Sequence, residues 1–393
     1  MIERIRINET VACSSFTTPE GTDEFYLVCE TGESGLFEKA LEKLNRNYCE
    51  ALAKLGLCAE TLVFCRFYVS DLANQKDALG LSEIYAALQS GAISVIQQPP
   101  GSCDAAVLFA YHVRNKNGRL EKSPDKKDID PWRSGITVRG RHYSLTWTAN
   151  LSKPGPMDSK KQTKDLWRLY CAYAAEKNLT VRSNLVRTWI YVRDIDNNYQ
   201  GMVEARRDFF STQGLTAQSR FVASTGIEGK AIDPRTLVSM DCLAIGGITE
   251  EQIFVMNASE NMSPAIDYGV TFERGLRIKF GDRSHLHISG TASIDRAGKI
   301  LHGGNVEKQA FQTLDNIEAL LKNQCASLAD LSHVLCYVRD LKDHATIAAV
   351  INERLAKDLP IVSVHGPVCR PGWLVEMEGI AIMPDRSRFA PFF

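Results

Sequence analysis

"CYVRDL", residues 336–341, decides the reading of this chain, because close copies occur twice more, as "FYVSDL" at 67–72 and "IYVRDI" at 190–195. An amphipathic helical stretch and a short polar turn precede each copy, and a second helical stretch follows it. The first helices are expected near 36–55, 160–177 and 306–323; in the last of these Ala310, Leu314, Ile317 and Leu321 recur at helical spacing. The second helices are expected near 73–88, 199–213 and 344–357. Closing strands repeat too. "LVSMDCLAI" (237–245) and "LVEMEGIAI" (374–382) share offset and apolar pattern, and "AAVLFAYHV" (105–113) is a weaker first copy. "EFYLVCE", "HYSLTWTAN" and "HLHISGTAS" read as opening strands. A hairpin, 275–280 into 285–290, leads into the third copy, whereas the first shows no comparable full hairpin.

Three ordered copies imply an α+β chain of three tandem units. Each runs strand, helix, strand, helix and two strands, and forms a mixed β-sheet covered by two helices. A sheet with helices on one face leaves its other face to be covered. Three like units bury those faces against one another about a pseudo-threefold axis, giving an intrachain pseudo-trimer whose clefts lie between units. The expected boundaries are 1–114 for a degenerate first unit, 115–133 for a charged linker, 134–248 for the second unit and 249–393 for the third.

Composition agrees with a globular chain of this size: 393 residues, 44% hydrophobic and 24% charged, supply ample core for several units. Lysine plus arginine is 46 and aspartate plus glutamate 47, a balance that gives no electrostatic reason to expect a nucleic-acid partner. The start, "MIERIRINET", lacks the apolar core of a signal peptide, and no apolar run reaches the length of a membrane span, so a cytoplasmic protein with no membrane partner is expected. The 11 cysteines are scattered singly and read mostly as buried free thiols. No CxxC or HxxxH pair occurs and the eight histidines are dispersed, so neither a metal nor another cofactor is expected.

The repeated unit resembles the Rid superfamily, also called YjgF-type or endoribonuclease L-PSP, with its chorismate-mutase-like fold. The third unit carries the resemblance at about 256–383 through "SGTASID", "QTLDNIEALL", "YVRDL" and "VEMEGIAI". The second carries it through "YVRDI" and "SRFVASTGIEG", and the first by the order of its elements. The resemblance implies ligand clefts between subunits of a trimer, here replaced by three units in one chain that is either a monomeric pseudo-trimer or a higher homo-oligomer. "SGTASI", the helix after "GGNVEKQ" and "VCRPGWLVEMEG" are also similar to the C-terminal half of chorismatases. These Rid-related enzymes hydrolyse the enol ether of chorismate and release pyruvate. In them a cysteine or small residue lies near the site and a glutamate seven positions later does acid–base work, the spacing of Cys369 and Glu376.

Rid enzymes hydrolyse 2-imino and enamine acids to 2-keto acids and ammonia. Both substrate classes hold a planar carbon next to a carboxylate, so the resemblance implies a small carboxylate-bearing metabolite as partner. Arginine suits its carboxylate, because the planar guanidinium matches it with two parallel hydrogen bonds. Arg220, in "SRFVASTG", falls where the family's carboxylate-binding arginine lies. Arg370 sits in the loop before the last strand, where cleft residues emerge, and Arg339 follows the "YV" of the third copy. Glu376 and Glu378 share one strand face; Ser239 and Asp241 replace them in the second unit, Val107 and Phe109 in the first. That face is either solvated or lines a cleft, and in a cleft a partly buried Glu376 would be a proton donor near neutral pH or would hold the attacking water. Tyr268 resembles the tyrosine that helps close the Rid pocket, Thr291 offers a hydroxyl near the ligand, and Cys369 is expected to shape the pocket rather than attack. The reading is a hydrolase or lyase of a carboxylated imine, enamine or enol ether, with its site joining the second and third units. A non-catalytic carboxylate-binding protein and an endoribonuclease or translation inhibitor are the alternatives.

Overall fold

The computed structural model of the protein describes residues 2–19, 21–32, 35–102, 104–125 and 132–393. The first unit runs β1 (Ile2–Asn8), β2 (Val11–Phe16), β3 (Thr22–Cys29), α1 (Phe37–Leu55), β4 (Leu62–Val69), α2 (Leu72–Leu81), α3 (Glu83–Ala87), β5 (Ala92–Gln97) and β6 (Ala106–Asn115). The second runs β7 (Glu121–Pro124), β8 (Ser134–Arg139), β9 (Ser144–Ser152), α4 (Ser159–Glu176), α5 (Val181–Asn184), β10 (Leu185–Val192), α6 (Ile195–Thr212), β11 (Ala223–Glu228) and β12 (Val238–Gly246). The third runs β13 (Ile253–Val255), β14 (Gly275–Lys279), β15 (Arg283–Ala292), α7 (Val306–Lys322), β16 (Leu331–Val338), α8 (His344–Arg354), β17 (Ile361–His365) and β18 (Val375–Pro384).

Each unit builds one six-stranded sheet of the same topology: β1-β2-β3-β6-β4-β5, β7-β8-β9-β12-β10-β11 and β13-β14-β15-β18-β16-β17. The closing strand inserts between the two strands that the long helix connects, and the last pair in each sheet is parallel, joined across the second helix. The aspartate of the repeated motif explains why that helix starts where it does. Asp71 caps α2, accepting from Ala73 N–H, and Asp340 caps the 3₁₀ turn Leu341–Asp343 that leads into α8, accepting from Lys342 N–H, each at 3.1 Å. In the second copy the Glu228 carboxylate does this work, accepting from Asp194 N at 3.1 Å and Ile195 N at 2.6 Å.

Two expectations are corrected. The first unit has a full hairpin, with β1 and β2 pairing from Ile2↔Phe16 to Asn8↔Val11. Its outer strand is largely solvent-facing and charged, which hides the apolar pattern. Within the stretch read as a charged linker, β7 pairs with β8 as the edge of the second sheet; residues 126–131 lie outside the described residues. Of the ten described cysteines, all free, Cys13, Cys29, Cys65, Cys242 and Cys336 are buried and the others are partly or fully exposed.

Helices cover the outer face of each sheet, and the three inner faces meet in one continuous core. Trp147 of the second unit stacks on Phe64 of the first at 4.2 Å and on Trp189 at 5.6 Å. His333 of the third stacks on Tyr26 of the first at 5.1 Å. The ends of the parallel edge strands close the ring: Gln97 N donates to Lys230 O at 3.0 Å, His365 N to Pro99 O at 2.7 Å and Glu228 N to Pro367 O at 3.1 Å. Every interface also buries an arginine–carboxylate pair. Arg66 meets Asp241 at 2.8 Å between units one and two, Arg187 meets Glu378 between two and three, and Arg283 meets Glu24 at 2.7 Å between three and one. The apolar C-terminus docks on its own chain, with Phe392 fully buried against Phe280 and His285. No helix among the described residues is long and apolar enough to cross a membrane.

Candidate active site

A cavity of about 440 Å³ opens between the second and third units, within the range of small-molecule sites. Helix α6 presents Tyr199 and Arg206 to it, β11 presents Ser224 and Gly226, and the segment before β14 presents Tyr268, Phe272 and Arg274. From the third unit come Gly290 of β15, Glu376 of β18 and, from the loop before it, Cys369, Arg370 and Trp373.

Glu376 is 5% exposed and accepts no hydrogen bond from any described residue. Burial, with a smaller push from Glu378, raises its carboxyl to about 8, against the opposing pull of Arg274 and Arg187. At neutral pH it is therefore a carboxylic acid facing an open cavity. A backbone irregularity makes the room. In β15 the register to β18 slips by one residue between Ile288↔Gly379 and Thr291↔Met377, a bulge that contains Gly290. A side chain at Gly290 would overlap Glu376 Oε1, so only glycine leaves the acid its place.

The opposite wall is cationic. Arg206 is 2% exposed; its Nη1 donates to Ser224 Oγ at 3.3 Å, while Nε and Nη2 have no partner. Burial lowers its pKa. Arg274, also buried, spends Nε and Nη2 on Ser263 O at 3.1 and 3.0 Å. Its guanidinium lies 5.2 Å from the Tyr268 ring, and Arg370 lies 4.7 Å from the same ring and 4.8 Å from Trp373. Tyr268 is thus held by two guanidinium groups. Burial pushes the Cys369 thiol up to about 12, so it is protonated and no nucleophile at neutral pH.

Beneath the cavity floor Glu378 is 2% exposed and accepts from Trp189 Nε1 at 2.6 Å, from Tyr337 OH at 3.0 Å, and from Arg187 and Thr225. The face shared by Glu376 and Glu378 is therefore buried between units rather than solvated.

Of the residues singled out from sequence, Glu376, Arg370, Tyr268 and Cys369 line this cavity. Arg220 does not. It sits in the loop ahead of β11 and turns outward, donating to the carbonyls of Phe221, at 3.2 Å, and of Arg182. Arg339 ties the two units together elsewhere, through Asp196 at 2.7 Å and Val368 O at 3.1 Å. Thr291 pairs with Met377 on the face away from Glu376, fully buried, and its hydroxyl donates to Ser289 O. The residues that sequence reasoning missed are Arg206 and Arg274. Neither carries a local mark: in "EARRDFF" two arginines are adjacent, and Arg206 falls in register with the buried Met202 and Phe210.

The other two clefts lack this constellation. Between units one and two, Ser239 stands for Glu376 and Asn150 for Gly290. Asn150 has a φ of 55° and its side chain bonds Ile93 O, Trp132 O and Val95 N across the interface. Between units three and one, Val107 stands for Glu376 and the β3–β6 register has no bulge.

Comparison with known proteins agrees with the architecture. The family model Endoribonuclease L-PSP matches residues 278–383. A RutC family protein of Pyrococcus horikoshii is 31% identical over 134 residues, 34% of this chain and 97% of that protein. Another, of Pyrococcus abyssi, is 33% identical over 106 residues, 26% of this chain and 81% of that protein. A chorismatase of Streptomyces rapamycinicus is 27% identical over 223 residues, half of this chain and 64% of the length of that enzyme. Among solved structures, a chorismatase crystal structure superposes with a TM-score of 0.64 at 18% identity, covering 93% of this chain and all of the other; at that identity the likeness concerns the fold.

Proposed function

We propose, for a chain that belongs to the RutC family of endoribonuclease L-PSP-like proteins, that the cavity between its second and third units hydrolyses the enol ether of chorismate or of a close carboxylated analogue. One observation carries the reading. A carboxylic acid without a hydrogen-bond partner, Glu376, and a buried cation with two unpaired donors, Arg206, line the same cavity. A buried group without a partner is costly, and the pairing of such groups across an empty cavity is expected where a ligand completes them.

The chemistry follows from the groups. A substrate carboxylate meets Arg206, whose free Nε and Nη2 form the two-pronged edge that carboxylates fit. Arg274 and Arg370 add positive charge without spending it on a protein carboxylate. Glu376 donates its proton to the terminal methylene carbon of the enolpyruvyl group, and the ether oxygen stabilises the cation that forms on the adjacent carbon. Water adds to that carbon. Its proton returns to the Glu376 carboxylate, and the hemiketal separates into pyruvate and the ring alcohol. The cost of keeping Glu376 protonated at neutral pH is met by its burial.

The test is direct. Purified protein is mixed with chorismate and pyruvate is followed by a coupled lactate dehydrogenase assay, beside a parallel reaction with 2-aminoacrylate in which ammonia is measured. Pyruvate from chorismate, lost in a folded Glu376→Gln protein, is the expected result. Turnover of 2-aminoacrylate alone would replace the enol-ether reading with deamination, the activity named for another relative, a 3-aminoacrylate deaminase of Acinetobacter baylyi. No turnover of either, with carboxylates still binding, would leave a binding protein.

A further inference from the structure

Glu378 follows Glu376 by two residues on the same strand face, about 7 Å along the chain. Its carboxylate takes hydrogen bonds from three strands of two units: Arg187 and Trp189 of β10, Thr225 of β11 and Tyr337 of β16. The equivalent residue of the second unit, Asp241, has a similar set, from Arg66, Ser94 and the Asn150 N–H, but beside Ser239 instead of an acid. The network by itself therefore holds an interface. What is particular to the third unit is that the held charge stands next to the proton donor.

That donor faces opposing charges. From α6 it faces Arg206, Arg207 and Tyr199, from the segment before β14 Tyr268 and Arg274, from β10 Arg187, and from the loop before β18 Cys369 and Arg370. β11 and β15 contribute no titratable group to the cavity. Every arginine in this set favours the ionised form of Glu376, which would end its use as an acid. Only burial and Glu378 act the other way. We infer that Glu378 is a positioning residue for the proposed reaction: without touching substrate, its immobilised carboxylate keeps the proton on Glu376 against the arginines of the cavity. The inference rests on the enol-ether reading for its purpose, but its physical content can be measured without turnover.

The experiment titrates Glu376 in the full chain by infrared spectroscopy, taking the protonated carboxyl band as the difference between each protein and its Glu376→Gln counterpart. In Glu378→Gln the midpoint is expected to fall by about one pH unit or more, and Glu378→Asp should return it toward the parent. If Glu378→Gln does not fold because Arg187 is left unpaired, Arg187→Gln with Glu378→Gln removes both charges. The midpoint should still fall, since Glu378 outweighs Arg187 at Glu376. Where chorismate is turned over, the alkaline limb of kcat/KM should move with the midpoint, whereas a purely structural defect would scale the profile without moving it. An unmoved midpoint in a folded Glu378→Gln or double variant overturns the inference and leaves the reaction standing. A moved midpoint in a protein that does not act on chorismate keeps the charge coupling and removes the reaction.

Discussion

Replacing Arg206 with methionine separates a ligand anchor from a structural arginine, because the two roles predict opposite signs for stability. Arg206 is buried, with Nε and Nη2 unpartnered and Nη1 bonded only to Ser224 Oγ. Each buried donor left unpaired costs about 1–3 kcal/mol, and the single bond to Ser224 returns about 1 kcal/mol. Arg206→Met removes all three terms and keeps most of the packing volume against Phe272, so the ligand-free protein should gain about 1–5 kcal/mol and melt a few degrees higher. Binding should move the other way. Losing a two-pronged charge-assisted contact to a carboxylate costs about 3–5 kcal/mol, so the dissociation constant should rise about 10²–10⁴-fold. Calorimetric titration of chorismate into proteins that also carry Glu376→Gln measures the second effect free of turnover, and a ligand-free thermal melt measures the first. An Arg206→Met protein that melts lower and binds chorismate as tightly as its parent would refute the reasoning, since Arg206 would then be a partner of the fold and not of the ligand.

Glu376 should leave a mark on stability as well. Its folded value of about 8 lies above its ordinary 4.5, so the stabilisation tied to its proton is present below pH 4.5 and is lost as pH rises through about 8. Relative to Glu376→Gln, the parent should therefore lose a few kcal/mol across that window in urea titrations, and a flat difference would contradict the raised value. Gly290→Ala should abolish turnover with little change in melting temperature, because the new methyl falls on Glu376 Oε1, whose side chain can swing away at the expense of its aim; normal turnover would show that this position is not needed. Arg220→Ala should leave KM for chorismate within about twofold, as expected for a half-buried residue outside the cavity, and a large rise would restore the sequence-based assignment.

The three units were legible because their marks are local. Strand, turn and helix in "YVRDL" follow from neighbours in sequence, and the aspartate cap at Asp71 and Asp340 is made within two residues. Two acids in an apolar closing strand drew attention to this face, but Glu376 was singled out by the similarity, through its place seven residues after Cys369. The cationic wall was not. Arg206 is one of two adjacent arginines in "EARRDFF", of which only Arg206 is buried, and Arg274 precedes a strand without a distinguishing pattern; both line the cavity as buried cations. Thr291 falls outside the cavity because a one-residue bulge at Gly290 resets which side chains face the cleft, and nothing in "SGTAS" announces it. Arg220 was placed by similarity, and it lies outside the cavity, bonded to Arg182 O.

Crystals of the Glu376→Gln protein grown with chorismate would test the central claim most directly. The account predicts the ligand between α6 and β18, with a carboxylate on Nε and Nη2 of Arg206 and the enolpyruvyl methylene in van der Waals contact with the side chain at position 376. Density for the ligand in either of the other two clefts, or bound to Arg220 with the cavity beside Arg206 filled only by water, would contradict it.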